Sequence, residues 1–581
     1  MERGSRVVPL EPSSPDDRGR YLNLNTVHRP LLFFSLWIVV LMLVMTIGDE
    51  QWWALELLRA NLPYLIVVLV LTSLAAVLPH MRPPFSKGAS LPGLILLALL
   101  FVVVPILLWK FRMQLFLPPP AGLGDSLLLL EHVPVYSRLL GYLDTIDELL
   151  ELYVRSRAYL WLNDSRGLPI EEVYAYISYA ALIPYLLFVY VLWQKRSFPE
   201  RLALLALTVA VPAVQLYAGY VENYTIASTF LFGTLAWGAR LLEERPQAAP
   251  SVRPLLLLAL LAGVGALFHL IVGLLLPALA YFAWVYCERR PGAFVRGAFA
   301  AGLCAVLLFG ACALYFLTLA PHPPIPADSH FANPPVLNPS RWFSADHVIG
   351  HLNLFLLASP AAPAALLTLL LYGSPDRKRW SWIPDLPTRF LAIATLTLLA
   401  WSFVWNGIIG LPADWDLLTM FQGPLNLYLW FLFVHAGRQN PATPSTRLAL
   451  AMLALNLLVT AAWITRNAED SEASRANLKR AHENVELFLE RTAADPVYEI
   501  VSAEHGLERQ RIYIQVSLFI VRSRARLAQV PQNETTRAQL ERLEIGRQKF
   551  ERWILLPPAE FENERAEIWN ELSALNREIN G

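Results

Sequence analysis

The chain has 581 residues, 55% of them hydrophobic and 16% charged, with a formal net charge of +0. Soluble domains carry about 25% charged residues, so charge has been excluded from most of this sequence, as a bilayer-embedded chain requires. The neutral balance gives no reason to expect nucleic-acid binding, and Cys287, Cys304 and Cys312, all in or beside apolar runs, offer neither a disulfide framework nor a zinc site.

Residues 1–29 read as a cytoplasmic N-terminal tail. The apolar run that follows lacks a small-residue cleavage site and reads as a retained helix. A helix crosses the hydrocarbon core with about 20 apolar residues. Spans are expected at 31–47, 62–79, 91–108, 174–193, 201–218, 223–241, 254–268, 270–287, 295–318, 351–372, 388–408, 421–437 and 447–464, which places the transmembrane region at 30–464. That is thirteen helices in an all-α, polytopic chain. The pair 254–268 and 270–287 is separated only by His269. A single helix there would leave twelve spans and move the C-terminus to the other side.

Short-loop charge favours the split. Arg82 and Lys87, Lys195, Arg196 and Arg201, Arg240, Arg245 and Arg253, Arg289, Arg290 and Arg296, Arg377 to Arg389, and Arg438 and Arg447 then fall on one side with the basic N-terminal tail. The opposite short loops hold only Arg59 and Arg341. Loops rich in Lys and Arg stay cytoplasmic, so the N-terminus is expected inside and residues 465–581 outside.

Three outer segments stand out. In 109–173, after Pro118-Pro119-Pro120, the apolar positions Leu139, Leu140, Leu143, Ile146, Leu149, Leu150 and Tyr153 recur at threes and fours, which suits a helix lying in the membrane interface. Segment 319–350 is rich in Pro, His and Asn, with Trp342 and Phe343 as interface anchors. The third is the turn from Leu411 to Asp416. Residues 465–581 are charged, with helical runs at 478–489 and 512–527 cut by prolines, and read as a soluble domain of helical hairpins without a clean 34-residue repeat.

Ionisable groups near membrane depth are costly and therefore candidates for function. Asp125, in Leu123-Gly124-Asp125-Ser126, is either a general base facing a dry cavity or the N-cap of the helix that starts at Ser126. The turn Tyr220-Val221-Glu222-Asn223-Tyr224 is short enough to hold Glu222 and Asn223 at the bilayer surface, as ligand contacts or as a solvated interfacial turn. His269 is a phosphate binder when protonated, or a satisfied interfacial residue. His347 and His351, after Asp346, have the i, i+4 spacing of metal ligands but lack the glutamate of a His-Glu-x-x-His motif, so capping with substrate contacts ranks ahead of metal. His322 and His330 read as loop surface. Asn353 and Asn406 are polar groups suited to bonding a neighbouring helix. Asp414 and Asp416 could hold sugar hydroxyls with Trp415 as a stacking face, or form a solvated turn. Phosphate-cradling and nucleophile-elbow motifs are missing.

An acidic residue in the first large outer loop, an interfacial helix after it, many spans and an exported helical C-terminal region together resemble the GT-C superfamily of membrane glycosyltransferases, at a distance from its protein O-mannosyltransferases and aminoarabinose transferases. The likeness spans roughly 25–465 and also rests on Gly219-Tyr220-Val221-Glu222-Asn223-Tyr224 and Asp414-Trp415-Asp416. It implies a polyprenyl-phosphate-linked sugar donor and a lipid, glycan or protein acceptor on the extracytoplasmic side. It also implies inversion at the sugar, with Asp125 by position as the catalytic base or acceptor-positioning residue. No metal or other cofactor is implied. Many members carry a paired acidic motif. Here Ser126 follows Asp125, and Glu131 is the nearest substitute. The leaving phosphate calls for a cationic or dipolar partner, with His269 and Arg341 ahead of Arg138, Arg155 and Arg157.

Two other classes compete. A transporter or flippase of lipid-linked sugars predicts inverted repeats and charged residues at the bilayer midplane, neither of which is visible. A metal-dependent membrane hydrolase would use His347 and His351.

Overall fold

The computed structural model describes residues 29–47, 62–77, 106, 125–143, 145, 147–244, 252–288, 290–324, 336–372, 384–405, 414–439, 446–469 and 471–580. Within them the regular structure is helical, apart from one isolated bridge between Val336 and Trp405. Among the described residues six helices are long and apolar enough to cross a membrane, or eight if each of two bent pairs counts as one span, and shorter apolar helices flank them. Twelve of the thirteen expected segments coincide with these helices or bent pairs. The other, 91–108, lies outside the described residues except for Ile106, as do His330 and Asn406.

In chain order the helices begin with α1 (Arg29–Ile47), α2 (Leu62–Val77), α3 (Ser126–Leu140), α4 (Leu149–Arg166), α5 (Ile170–Trp193) and α6 (Phe198–Thr208). A 3₁₀ segment, Pro212–Ala218, leads to α7 (Thr225–Glu243) and α8 (Arg253–Phe268), and a second, Leu270–Leu275, leads to α9 (Leu276–Tyr286) and α10 (Pro291–Thr318). Then come α11 (Ala345–Ala358), α12 (Ala362–Tyr372), α13 (Leu386–Val404), the single turn α14 (Trp415–Leu418), α15 (Gln422–Gln439) and α16 (Thr446–Glu469). The chain closes with α17 (Ser471–Ala493), α18 (Pro496–Glu504), α19 (Leu507–Ala528), α20 (Glu534–Ile554) and α21 (Pro558–Asn580).

Two spans expected to be continuous are broken. α6 bends by 71° into the 3₁₀ segment before Pro212, and α11 bends by 80° into α12 around Pro360. Proline lacks an N–H and crowds the preceding turn, so each helix stops and leaves backbone groups without an intrahelical partner. In an apolar bundle these must be satisfied internally. Asn456 on α16 does so for both breaks, accepting from Ala361 N at 3.1 Å and donating to Ala206 O at 2.8 Å. Tyr185 adds a hydrogen bond to Thr208 O at 2.7 Å.

The bundle has two chemically distinct ends. At one, Glu243 is paired with both Arg196 and Arg438, Glu244 lies 2.5 Å from Arg240 and 3.4 Å from Lys195, and His435 lies 3.2 Å from Asp385. These are the loops whose basic residues were expected to share a side. The other end carries α3, α4, the 220–224 turn, His269, Asp414 and Asp416.

The segment expected to form one interfacial helix through 139–153 is instead two helices and a turn. α3 ends at Gly141, whose φ of 92° is a left-handed conformation that costs glycine nothing. A Cβ built there would lie 2.7 Å from the Pro321 ring, so the close approach also excludes a side chain. The apolar period therefore continues in sequence across a chain reversal.

From α17 onward the helices are amphipathic and form hairpins around Val501, Tyr513, Phe550 and Trp553. α17 and α19 also share a core with α3, in which Leu129, Val133 and Tyr136 meet Ala481, Phe488, Ile514 and Leu518. Polar pins fix the register. Glu131 on α3, buried, accepts from Asn484 Nδ2 at 2.9 Å and Arg522 Nε at 2.7 Å, and Glu171 lies 3.1 Å from His482 Nε2. Direct contact requires the C-terminal helices and α3 to lie on the same side of the bilayer.

Candidate active site

α3 is fastened at its start to the 220–224 turn. Gly219, at φ 94°, ends the 3₁₀ segment and reverses the chain, and Glu222 N then donates to Tyr220 O at 3.1 Å. Ser126 Oγ donates to Val221 O at 2.8 Å and lies 3.3 Å from Glu222 Oε1, while the Asp125 backbone N–H donates to the Glu222 carboxyl group. Asp125 occupies the N-cap position of α3, yet its side chain makes no capping hydrogen bond. The carboxylate is half-buried at the rim of the cluster, with Glu222 and Asn223 buried behind it.

A second carboxylate arrives from the turn before α4. Glu148 Oε2 accepts from Asn223 Nδ2 at 2.9 Å, and Asn223 Oδ1 accepts from Tyr174 OH at 3.0 Å. Glu148 Oε1 lies 3.5 Å from His269 Nε2. His269 Nδ1 accepts from Ile271 N, so the ring proton sits on Nε2 and faces Glu148. Burial holds this imidazole down to about 4, with Asp147 opposing, so His269 is neutral at pH 7 and carries no charge for a phosphate. Beyond Tyr174, the Arg155 guanidinium stacks 4.0 Å from the phenol ring, and its Nε donates to Glu151 Oε1 at 2.8 Å. Both members of that pair are completely buried.

The third contribution is the turn at α14. Asp414 stands at its N-cap position, and Asp416 Oδ1 accepts from Leu417 N at 2.9 Å. Trp415 was expected to offer a stacking face. It is instead 1% exposed, with its ring 6.0 Å from Tyr220 and 5.4 Å from Trp463. It packs the floor of the site, because an indole beneath a cluster of carboxylates fills space that water would otherwise enter.

Asp125, Glu148, Glu222 and Asp416 are close enough to repel one another. Burial first, then Asp416, Asp125 and Glu148, push the Glu222 carboxyl well above the usual range. Burial, Asp147 and Asp125 do the same to Glu148, against the Asn223 hydrogen bond. Two buried carboxyls held well above the usual range, behind a half-buried aspartate, form an arrangement in which the rim carboxylate can accept a proton.

Other expected residues stand apart. Arg341 is exposed on the short 3₁₀ turn Pro339–Arg341, and its backbone bonds to Asn338 and Ser344. His347 Nε2 and His351 Nε2 each lie 2.8 Å from a carbonyl, of Phe403 and Ser402, at the C-terminal end of α13. Those carbonyls belong to the last turn of a helix and lack intrahelical donors, so the i, i+4 histidines cap α13. Among the described residues no group of three His, Cys, Asp or Glu side chains is disposed to hold a metal. His322, expected at the surface, is buried and stacks 4.1 Å from the Tyr142 ring. Glu148 and Tyr174 were not expected in the site. The signal for Glu148 was present in the adjacent acids Asp147-Glu148, in the same loop as Asp125.

No protein-family model and no curated protein matches the chain. Among solved structures it is similar to ArnT from Cupriavidus metallidurans in the apo state, at 12% identity and a TM-score of 0.36, with 84% of this chain and 76% of that one covered. The crystal structure of ArnT bound to undecaprenyl phosphate gives 13% identity and a TM-score of 0.37, over 84% and 77%. A likeness this low carries no argument about this chain.

Proposed function

We propose that this protein is a membrane glycosyltransferase of GT-C type, which moves a sugar from a polyprenyl-phosphate donor to an acceptor hydroxyl at the extracytoplasmic face. The supporting observation is the convergence of Asp125, Glu148, Glu222 and Asp416 from separate segments onto one buried layer at one end of a helical bundle. Asp125 at the rim takes the proton of the acceptor hydroxyl. The oxygen attacks the anomeric carbon from the face opposite the phosphate, the C–O bond to phosphate breaks, and configuration inverts. Glu222, Asn223, Tyr220 and the Asp414–Asp416 turn hold the acceptor. His269 acts as a neutral hydrogen-bond donor through Nε2. Residues 465–581 form an extracytoplasmic helical domain seated on the same face, with the N-terminus cytoplasmic.

A positioned general base contributes about 10²–10⁴ in rate. Asp125→Asn is therefore expected to lower sugar incorporation from radiolabelled polyprenyl-phosphate donors by about that factor, with expression and thermal midpoint unchanged. Wild-type rates in that variant would remove the base from the proposal. A flippase of lipid-linked sugars is favoured by one observation, the two broken spans, since discontinuous helices line many transport paths. Transbilayer movement of a labelled donor, without incorporation from any donor offered, would select it.

A further inference from the structure

Beneath the carboxylate layer, inside the bundle, lies a cavity of about 60 Å³ between α5, α6, the 3₁₀ segment, α7 and the start of α15. Its walls are mostly apolar, but two buried acceptors stand in its lining without hydrogen-bond partners, Asp416 Oδ2 and Asn426 Oδ1. Each residue is 2% exposed, so bulk water does not reach them. The end of α6 also faces the cavity, through Leu207 and Thr208, where the helix stops at its 71° break. A helix C-terminus carries roughly half a negative charge. The lining includes no Lys, Arg or His among the described residues, and its other ionisable groups, Tyr185 and Tyr217, are hydrogen-bonded to Thr208 O and Thr229 Oγ1.

We propose that this cavity binds a monovalent metal cation of sodium or potassium size, held by Asp416 Oδ2 and Asn426 Oδ1 at the negative end of α6. A single carboxylate with neutral oxygen donors matches one positive charge. A divalent ion would leave an excess charge inside an apolar bundle, where charge is expensive. Water alone could donate to both acceptors but would not neutralise the carboxylate. Discontinuous membrane helices offer cations the same elements, a half-helix C-terminus and oxygen donors beside the break. The proposal concerns binding and stands independently of sugar transfer.

The full chain in lipid nanodiscs is unfolded thermally at constant ionic strength, with sodium or potassium chloride replacing N-methylglucamine chloride. A saturable rise in midpoint with one of the two metal ions is expected, because a ligand that binds only the native state stabilises it. Asp416→Asn and, separately, Asn426→Leu should each weaken the apparent affinity by about tenfold or more. Direct binding of radiolabelled sodium or rubidium to the wild-type chain gives a second measurement that needs no variant to fold. Coincident midpoints in all three salts, with no saturable radiolabel bound, would overturn the proposal, leaving Asp416 neutralised by a proton. An unaltered cation response in both variants would overturn it equally, by placing the ion elsewhere.

Discussion

Burial and mutual repulsion act on Glu148 and Glu222 in the same direction, and burial, opposed by Arg155, raises Glu151 to about 7. A carboxyl whose native pKa is raised binds its proton more tightly in the folded chain than in the unfolded one. Its contribution to stability is fully present below the ordinary value near 4.5 and is lost as pH rises through the native value, which for Glu151 is about 7. The thermal midpoint should therefore fall between about pH 5 and pH 7, and Glu151→Gln should flatten that fall. A profile unchanged by that substitution would mean that Glu151 does not titrate in that window. Glu151 has a second role, as the partner of completely buried Arg155. Removing one member of such a pair strands the other, so Glu151→Ala should cost about 3–5 kcal/mol, and Arg155→Met in the same chain should restore part of it. Denaturant or thermal unfolding of both variants in detergent checks the order.

Helix α3 carries Asp125 at its first turn and Glu131 in its body, and the C-terminal helices hold the second while the 220–224 turn holds the first. Glu131→Ala leaves Arg522 and Asn484 without their acceptor. Because Arg522 is about a third exposed, the discounted cost is about 1–2 kcal/mol. Faster hydrogen exchange in both α3 and α17 is the expected readout, and protection retained in both would show that the shared apolar core alone holds the contact. At this scale the sequence was informative about which segments are apolar and poor at where they bend. Hydropathy averages over Pro212 and Pro360, so both breaks were read through, although the prolines themselves were visible. Apolar period alone also carried α3 across Gly141, because a reversal there preserves the period while changing the direction of the chain. The tight turn at 219–224 and the split at His269 were legible because few residues were available to form them.

On the scale of the whole molecule, the ion pairs that join 195–196 to 243–244 and 438 gather basic loops at one end, and the carboxylates and C-terminal helices gather at the other. Single cysteines at Lys195 and at exposed Glu541 should label with a membrane-impermeant maleimide from opposite sides of sealed vesicles, Glu541 sharing the side of exposed Arg157. Equal labelling of Lys195 and Glu541 would contradict the placement of these ends. Which carboxylates meet could not be read from the sequence, since Asp125, Glu222 and Asp416 are brought together only by the crossing of helices whose rotations hydropathy does not fix. Asp125 and Glu222 were singled out for lying in turns expected on the outer side. Glu148 was not, because its neighbours made it resemble the wet side of an amphipathic helix.

The clasp between Glu131 and Arg522 joins residues 391 positions apart. A ribosome adding about 5–20 residues per second needs roughly 20–80 s to reach the second after making the first. Throughout that interval the nascent chain carries Glu131 with neither Arg522 nor Asn484 to pair with it, and α3 without the helices that pack against it. Chains released early would insert their spans yet lack those helices, so premature termination would yield embedded protein with the apolar face of α3 uncovered.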